Sequence, residues 1–477
     1  MVVLWVIIAI ILMLAVIVLA RTLMLKPTAA ANAAVQLDES ERAVIYGDKL
    51  AKMVQKETIS APQQLDKSKF YAFHEVLEEE FPKVHEVCEK NVLDGNLLFC
   101  WKGTGEKEPI MLMSHHDVVE AGGKWEHPPF SGDIDENGRV WGRGTVDTKA
   151  SLCCIFGAVE ELIEEGYRPP MDVYIASSCT EEVSGSGGPA IANFLKERGI
   201  KLDLLLDEGG MVLKAPIAGV NGIYAMVGVV EKGYGDVKFI AHGKGGHASA
   251  PGKNTPLVRL GKFMAAVEKK SPFKSKITPT VREMFSRMAP NMIFPMKMIM
   301  ANLWLFEGLL AKVLPPINAA AGAMFHTTLA FTRAKGSDGL NVLPQTAFVT
   351  GNMRFIHHQP TDESIKLVSD IAKKYDLETE VLYKDYPCPI VDFYGRQFKL
   401  IEAVTEKIYP GVGVCPYVMT GGTDCKFYNE VCDNAIRLAP IFIDEQQYAS
   451  IHGLNENIYR GALPKAVDFY KEVVKMI

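Results

Sequence analysis

Two rhythms of apolar and polar residues run along this chain. Between residues 97 and 221, short apolar runs alternate with amphipathic stretches. PIMLMS, MDVYIASS and LDLLLD are apolar at most positions, as strands buried on both faces are. SLCCIFGAVEELIEEG and GPAIANFLKERG repeat apolar residues at helical spacing, and Gly199 predicts the end of the second helix. DESERAVIYGDKLAKMVQ opens an earlier amphipathic helix, with Asp38 or Ser40 as its cap. Strands alternating with helices predict an α/β fold with a mostly parallel central sheet covered on both faces.

The rhythm changes near residue 227. GDVKFIAHG, TAFVTGNMRF and ETEVLYK alternate like half-exposed strands, and TPLVRLGKFMAAVEKK reads as a helix between them. That pattern predicts a smaller α+β unit with one open sheet face. The α/β style then returns, with AIRLAPIF as a strand and ENIYRGALPKAVDFYKEVVKMI as a closing helix. The expected organisation is a catalytic domain over 37–221 and 387–477, interrupted by an inserted unit over 222–386.

Residues 1–20, MVVLWVIIAIILMLAVIVLA, carry no charge. A helix of that length rises about 30 Å, enough to cross a bilayer core. Ala31-Asn32-Ala33 resembles a signal-peptide cleavage site, but no basic segment precedes the apolar run, which also exceeds a usual signal core. The expectation is an uncleaved anchor over 1–21 and a small-residue linker over 22–36. Arg21 and Lys26 favour a cytoplasmic catalytic part by the positive-inside rule.

At 477 residues the chain exceeds one compact core. A formal net charge of −6 leaves no basic surface for nucleic acid. Nine cysteines, with no CxxC among them, argue against a disulfide framework and suit a reducing compartment.

Chemistry gathers where the apolar runs end. His115 and Asp117 follow PIMLMS, Glu181 and Glu182 follow MDVYIASSCT, and Asp207 and Glu208 follow LDLLL. Asp147 precedes a predicted helix, and His452 follows AIRLAPIF and its loop. Open α/β sheets bind ligands beyond the carboxyl ends of their strands, so these residues are expected at one rim. Clustered carboxylates need cations between them, and imidazole with carboxylate oxygen suits Zn²⁺. On an extended segment His115 and Asp117 share a face, so Asp117 is placed to accept the second ring N–H of His115, while His116 points away.

SHHDVV, GRGTVDTKA, TEEVSGSGG, LDEGG, GKGGHASAP, NVLPQTA and IHGLNENI occur in this order between residues 111 and 458. Together they resemble the di-zinc exopeptidase family of carboxypeptidase S, glutamate carboxypeptidase and aminoacylase. ANLWLFEGLL and HTTLAFT bring the chain nearest the carboxypeptidase S branch, although His326 stands where that branch typically has Arg. The resemblance implies two zinc ions bridged by Asp147. His115 and either Asp207 or Glu208 would hold one, and Glu182 and His452 the other. It implies Glu181 as general base, a cis peptide at Asp147–Thr148, and a ferredoxin-like lid that also serves dimerisation. His247 would reach a substrate carbonyl in the partner subunit's site. Asn341 and Arg354 would bind the substrate carboxylate, with Gly422, Thr423 and Asp424 lining the same end. A planar guanidinium suits that carboxylate role. GKGGH lacks the GK[ST] ending of a phosphate loop.

PNMIFPMKMIMANLWLFEGLLAKVLPP, residues 290–316, is rich in Met, Leu and aromatics but is interrupted by Lys297, Glu307 and Lys312. It is expected as lid core or dimer packing; an apolar groove for a fatty acyl chain or a membrane surface is the sharper alternative. The expected activity is carboxypeptidase-like hydrolysis of an amide beside a free C-terminal carboxylate in short peptides. Hydrolysis of N-acyl amino acids is the alternative. A non-catalytic peptide-binding module is the competing class; loss of Glu181 or of a zinc ligand would mark it, and none is lost.

Overall fold

The computed structural model describes residues 1–62 and 66–477. Its backbone is a ten-stranded sheet. From one edge run Glu89–Leu93, Asn96–Trp101, Val173–Ser177, Ile110–Met113, Leu204–Asp207, Ala435–Arg437 and Ile223–Glu231. The four strands from Val173–Ser177 to Ala435–Arg437 pair in parallel, as their continuous apolar runs predict. One flank is antiparallel and the other combines antiparallel with parallel pairs, so the sheet is mixed. Period-two alternation sends Ile110 and Leu112 into one core and Met111 and Met113 into the other, which is why this strand has no polar position.

Ser40 takes the N-cap position of the helix Glu41–Val54 without a side-chain capping bond, and its N–H donates to Asp38 Oδ1 at 2.7 Å. Several boundaries differ from the expected ones. Ile223–Glu231 is buried at all nine positions and lies in the large sheet, and Lys232 separates it from the strand Gly233–His242 of the small one. AIRLAPIF divides into the strands Ala435–Arg437 and Phe442–Ile443, separated at Pro440, which has no N–H for a ladder. The closing helix begins only at Leu463, because Asn457–Tyr459 pairs as a strand with Arg139–Trp141.

The second unit is a four-stranded antiparallel sheet in the order Thr328–Lys335, Thr346–Phe355, Gly233–His242, Glu378–Lys384. Helices Pro256–Lys269 and Thr361–Lys373 contribute to a separate core centred on Phe239, Phe263 and Val368. Residues 290–316 do not join that core: Met292, Met300, Leu303 and Ala311 pack into the core of the large sheet.

At the N-terminus, Val2–Met24 forms one apolar helix whose surface is almost wholly exposed. The following small residues are docked rather than free. The Thr28 N–H donates to Asn291 at 2.9 Å and Ala30 is buried. A Cβ on Gly222 would lie 2.1 Å from the Ala30 carbonyl oxygen, so only glycine admits this contact. All nine cysteines are free and buried.

Candidate active site

The loops after the parallel strands converge on Asp147. His115 Nε2 lies 3.1 Å from one carboxylate oxygen of Asp147, and His452 Nε2 lies 3.1 Å from the other. His452 Nε2 also lies 3.0 Å from Glu182. One carboxylate thus stands between two imidazoles. Ligand atoms of His115, Asp147 and Glu182 fall within 4.8 Å of one another. The second oxygen of Glu182 is buried without a hydrogen-bond partner. An orphaned oxygen beside imidazole and carboxylate donors is a set that a zinc ion satisfies.

Neighbouring residues hold this set in place. The His115 ring Nδ1 lies 2.9 Å from the Asp117 backbone oxygen and 3.4 Å from its carboxylate. The same carboxylate accepts the backbone N–H groups of Glu181 and Glu182, both at 3.1 Å. Asp117 therefore orients a histidine and clamps both glutamates, a second task not visible in the HxD spacing. His116 points away as expected: Nδ1 lies 2.8 Å from Ser177 Oγ and the ring stacks on Phe73. The peptide bond Asp147–Thr148 is cis.

Glu456 was not singled out among the candidates, yet it is fully buried and organises the Asp147 loop. It accepts the backbone N–H groups of Gly144, Val146 and Asp147 at 2.8–3.1 Å and pairs with Arg143 at 2.7 Å. Its only signal was its place in IHGLNENI. Lys149, also buried, donates to the carbonyls of Met53 and Lys56 at 3.1 and 2.8 Å.

Charge follows from this crowding. Burial opposes protonation of His115, but hydrogen bonds with Asp117 and Asp147 hold it well above its usual pKa. Asp147 and Glu182 push His452 up to about 10. Burial, with Asp424, Glu182 and Asp117 nearby, lifts the Glu181 carboxyl well above the usual range, against the pull of His115. Protons on these imidazoles occupy lone pairs that a cation would take, so cation binding here would release protons.

Asp207 and Glu208 face different neighbours. Asp207 accepts the N–H groups of Glu208 and Cys425 at 2.8 and 3.1 Å, and burial beside Asp424 pushes it up to about 7. Glu208 is raised well above its usual value by burial and by the Asp147 and Asp207 carboxylates. Asp424, hydrogen-bonded to Ser178, is buried and pushed up to about 6 by that burial. Thr423 binds Glu231 at 2.7 Å, and Glu231 pairs with Arg437 at 2.6 Å in the interior. Gly422 sits beside the same Glu231.

The remaining candidates lie on the second unit: Arg354 on its four-stranded sheet, His247 on a separate two-stranded ladder and Asn341 just before that ladder's second strand. His247 is exposed and its Nδ1 lies 2.7 Å from Ser249 Oγ. Asn341 is exposed next to it, its carbonyl accepting the Ala248 N–H at 2.9 Å. Arg354 stacks over Tyr234 with 4.6 Å to the ring centroid. Among the described residues, no hydrogen bond or ion pair joins these three to the Asp147 cluster.

A sheet whose strand ends gather imidazoles around one shared carboxylate defines a site of the metallohydrolase class. Residues 111–476 match the model of peptidase family M20/M25/M40, and the chain belongs to that family as an M20 metallopeptidase or amidohydrolase. It is 31% identical over 420 residues to probable carboxypeptidase S-like 2 of Dictyostelium discoideum, covering 85% of this chain and 79% of that protein. It is 32% identical over 399 residues to N-fatty-acyl-amino acid synthase/hydrolase PM20D1 of Homo sapiens, covering 82% and 78%. An M20 family metallo-carboxypeptidase from Sulfolobus solfataricus shares the fold, with a TM-score of 0.67 at 17% identity over 92% of this chain and 99% of that one.

Proposed function

We propose that the protein is a zinc-dependent exopeptidase or amidohydrolase that cleaves an amide next to a free carboxylate. The observation that carries this is Asp147 held between His115 and His452, with Glu181 and Glu182 clamped beside it by Asp117. In this reading His115 and Glu208 hold one zinc ion, Glu182 and His452 the other, and Asp147 serves both. Glu208 is preferred to Asp207 because both Asp207 oxygens are engaged by backbone N–H groups. Bound zinc supplies Lewis acidity toward water and the amide carbonyl. Glu181, whose carboxyl burial pushes well above its usual range, takes a proton from the attacking water and returns it to the departing amine nitrogen. Arg354 and Asn341 receive the substrate carboxylate, and His247 the carbonyl of a substrate bound by a partner copy.

The four-stranded unit reads as a ferredoxin-like lid, supported by its strand order and its two covering helices. Val2–Met24 reads as a membrane anchor, supported by its length and exposed apolar surface. Between short peptides and N-acyl amino acids, the exposed apolar helices at 294–317 favour the second beside the carboxypeptidase-like reading. A hydrolysis screen with zinc, setting dipeptides against N-acetyl and long-chain N-acyl amino acids, tests both. Release of a free amino acid from one set supports it, and no release from any set contradicts the whole reading.

A further inference from the structure

The helices Phe294–Met300 and Leu303–Ile317 meet at a 108° bend directly against the N-terminal helix. Leu303 and Ala311 of the second helix are buried in the large core. On its other side Leu305, Leu309, Val313 and Ile317 recur every four residues and stay exposed, 61% at Leu309 and 73% at Ile317. Glu307, paired with Arg282, and the exposed Lys312 interrupt this helix, and a helix with such apolar stripes buries each of them against protein or lipid. This one is half inside the protein, so its outer stripe needs an apolar cover.

The joint with the N-terminal helix shows what that cover is. Asn302, fully buried at the bend, donates to the Val18 carbonyl at 3.2 Å and to Thr22 Oγ1 at 3.3 Å. Arg21 donates to the Ala301 carbonyl at 3.4 Å, and Lys297 to that of Leu25. The bend therefore sits at the level where the apolar helix ends. Arg21 and Lys297 bond across this joint and Lys26 follows Leu25, so three cations stand at that level, as headgroup phosphates require. Trp304, 50% exposed, lies beside the bend, while Trp5 lies near the far end of the N-terminal helix. From Trp5 to Thr22 the helix rises roughly 25 Å at about 1.5 Å per residue, against a hydrocarbon core of about 30 Å. Tryptophans at both interfaces of a span are the aromatic-belt arrangement. At fifteen residues, Leu303–Ile317 is too short to cross the bilayer alone.

We propose that the bent pair 294–317 is a membrane-embedded interfacial element, lying in the near leaflet beside the N-terminal anchor and seating the catalytic body against the bilayer. The proposal rests on the anchor reading of residues 2–24 and adds a second point of lipid contact. Two contacts fix the orientation of the body where a single helix and a flexible joint would not. A chain of packed elements links it to the site. The preceding helix, Pro279–Met288, packs on the strand Gly413–Met419 through Arg287 and the Val414 carbonyl at 3.0 Å, and that strand leads into Gly422–Asp424.

The test uses the full chain reconstituted in phosphatidylcholine–phosphatidylserine vesicles whose acyl chains are brominated near the headgroup. Tryptophan quenching is compared among wild type, Trp304→Phe and Trp5→Phe. Each substitution is expected to remove a distinct share of the quenching. Leu309→Glu with Val313→Glu is expected to shift Trp304 emission to the red and remove its share, with hydrolysis of a soluble substrate unchanged. Quenching of Trp5 without Trp304 would overturn the proposal and leave the anchor standing. Quenching of Trp304 without Trp5 would keep the second contact and contradict the anchor. Quenching of neither would end both. An unquenched Trp304 together with loss of a dimer in Leu309→Glu would assign the stripe to a second copy of this chain and overturn the proposal.

Discussion

The rim around Asp147 and the exposed corner of the small sheet draw on the same series of motifs, yet they are built differently. At the rim the site residues are held by others: Asp117 carries His115 and the backbone of Glu181 and Glu182, and Glu456 carries the backbone of the Asp147 loop. His247 and Asn341 stand exposed, with hydrogen bonds only to nearby loop residues such as Ser249, Ala250 and Ala248. Groups that must hold a cation at fixed distances need this support, because a misplaced ligand loses most of its value. In the proposed reading His247 and Asn341 meet substrate, and their exposure leaves them room to move. Lys232 marks the crossing between them, buried where the large sheet ends and the small one begins.

The largest effect expected from this contrast is on turnover. Glu181→Gln keeps the side chain's size and removes the base, so kcat should fall by about 100- to 10,000-fold with zinc content unchanged. Glu182→Gln, one residue on, should lose zinc as well, since its carboxylate faces His452. Steady-state kinetics with metal analysis separates the two; equal turnover in Glu181→Gln would show that another group moves the proton.

The next effect is on stability. Glu456→Ala leaves Arg143 charged in the interior and three N–H groups unpaired, so a loss of about 3–5 kcal/mol is expected in denaturant unfolding. His247→Ala, at an exposed position, should change stability by less than about 0.5 kcal/mol while still lowering turnover. Similar losses from both would erase the contrast between rim and corner.

The smallest effect is a pH slope. Burial, with Arg354 nearby, lowers Lys232 to about 7, and its Nζ donates to the Ala323 and His326 carbonyls, both at 2.9 Å. An unfolded lysine titrates near 10.4. Above that value the group is neutral in both states. As pH falls toward 7 the unfolded chain binds a proton that the folded chain does not, so stability declines; below 7 the loss is complete. Wild type should therefore gain on Lys232→Met as pH rises from about 7 to about 10. Parallel unfolding midpoints across that range would contradict the burial of a neutral lysine.

Much of this was legible in the sequence because the chemistry ends the strands. PIMLMS, MDVYIASS and LDLLLD each deliver their polar residues at the carboxyl end of a parallel strand, and the structure gathers those ends. Asp207 and Glu208 were not separable, since adjacent residues at a strand end point to different faces and only the packing of Cys425 and Asp424 decides between them. Glu456 was hidden because a buried carboxylate satisfied by backbone N–H groups has no spacing signature of its own. The packing of the small residues near Ala30 and of the Met-rich segment was not legible for one reason: both meet parts of the chain far away in sequence, at Gly222 and in the large core.

The central claim is that Asp147 is the ligand shared by two zinc ions. Zinc should be counted in protein purified without chelator, for wild type and Asp147→Asn. About two ions per wild-type chain are expected, with most lost in a folded Asp147→Asn protein and activity abolished by EDTA. A wild-type chain that carries no divalent metal and stays fully active in EDTA would contradict it.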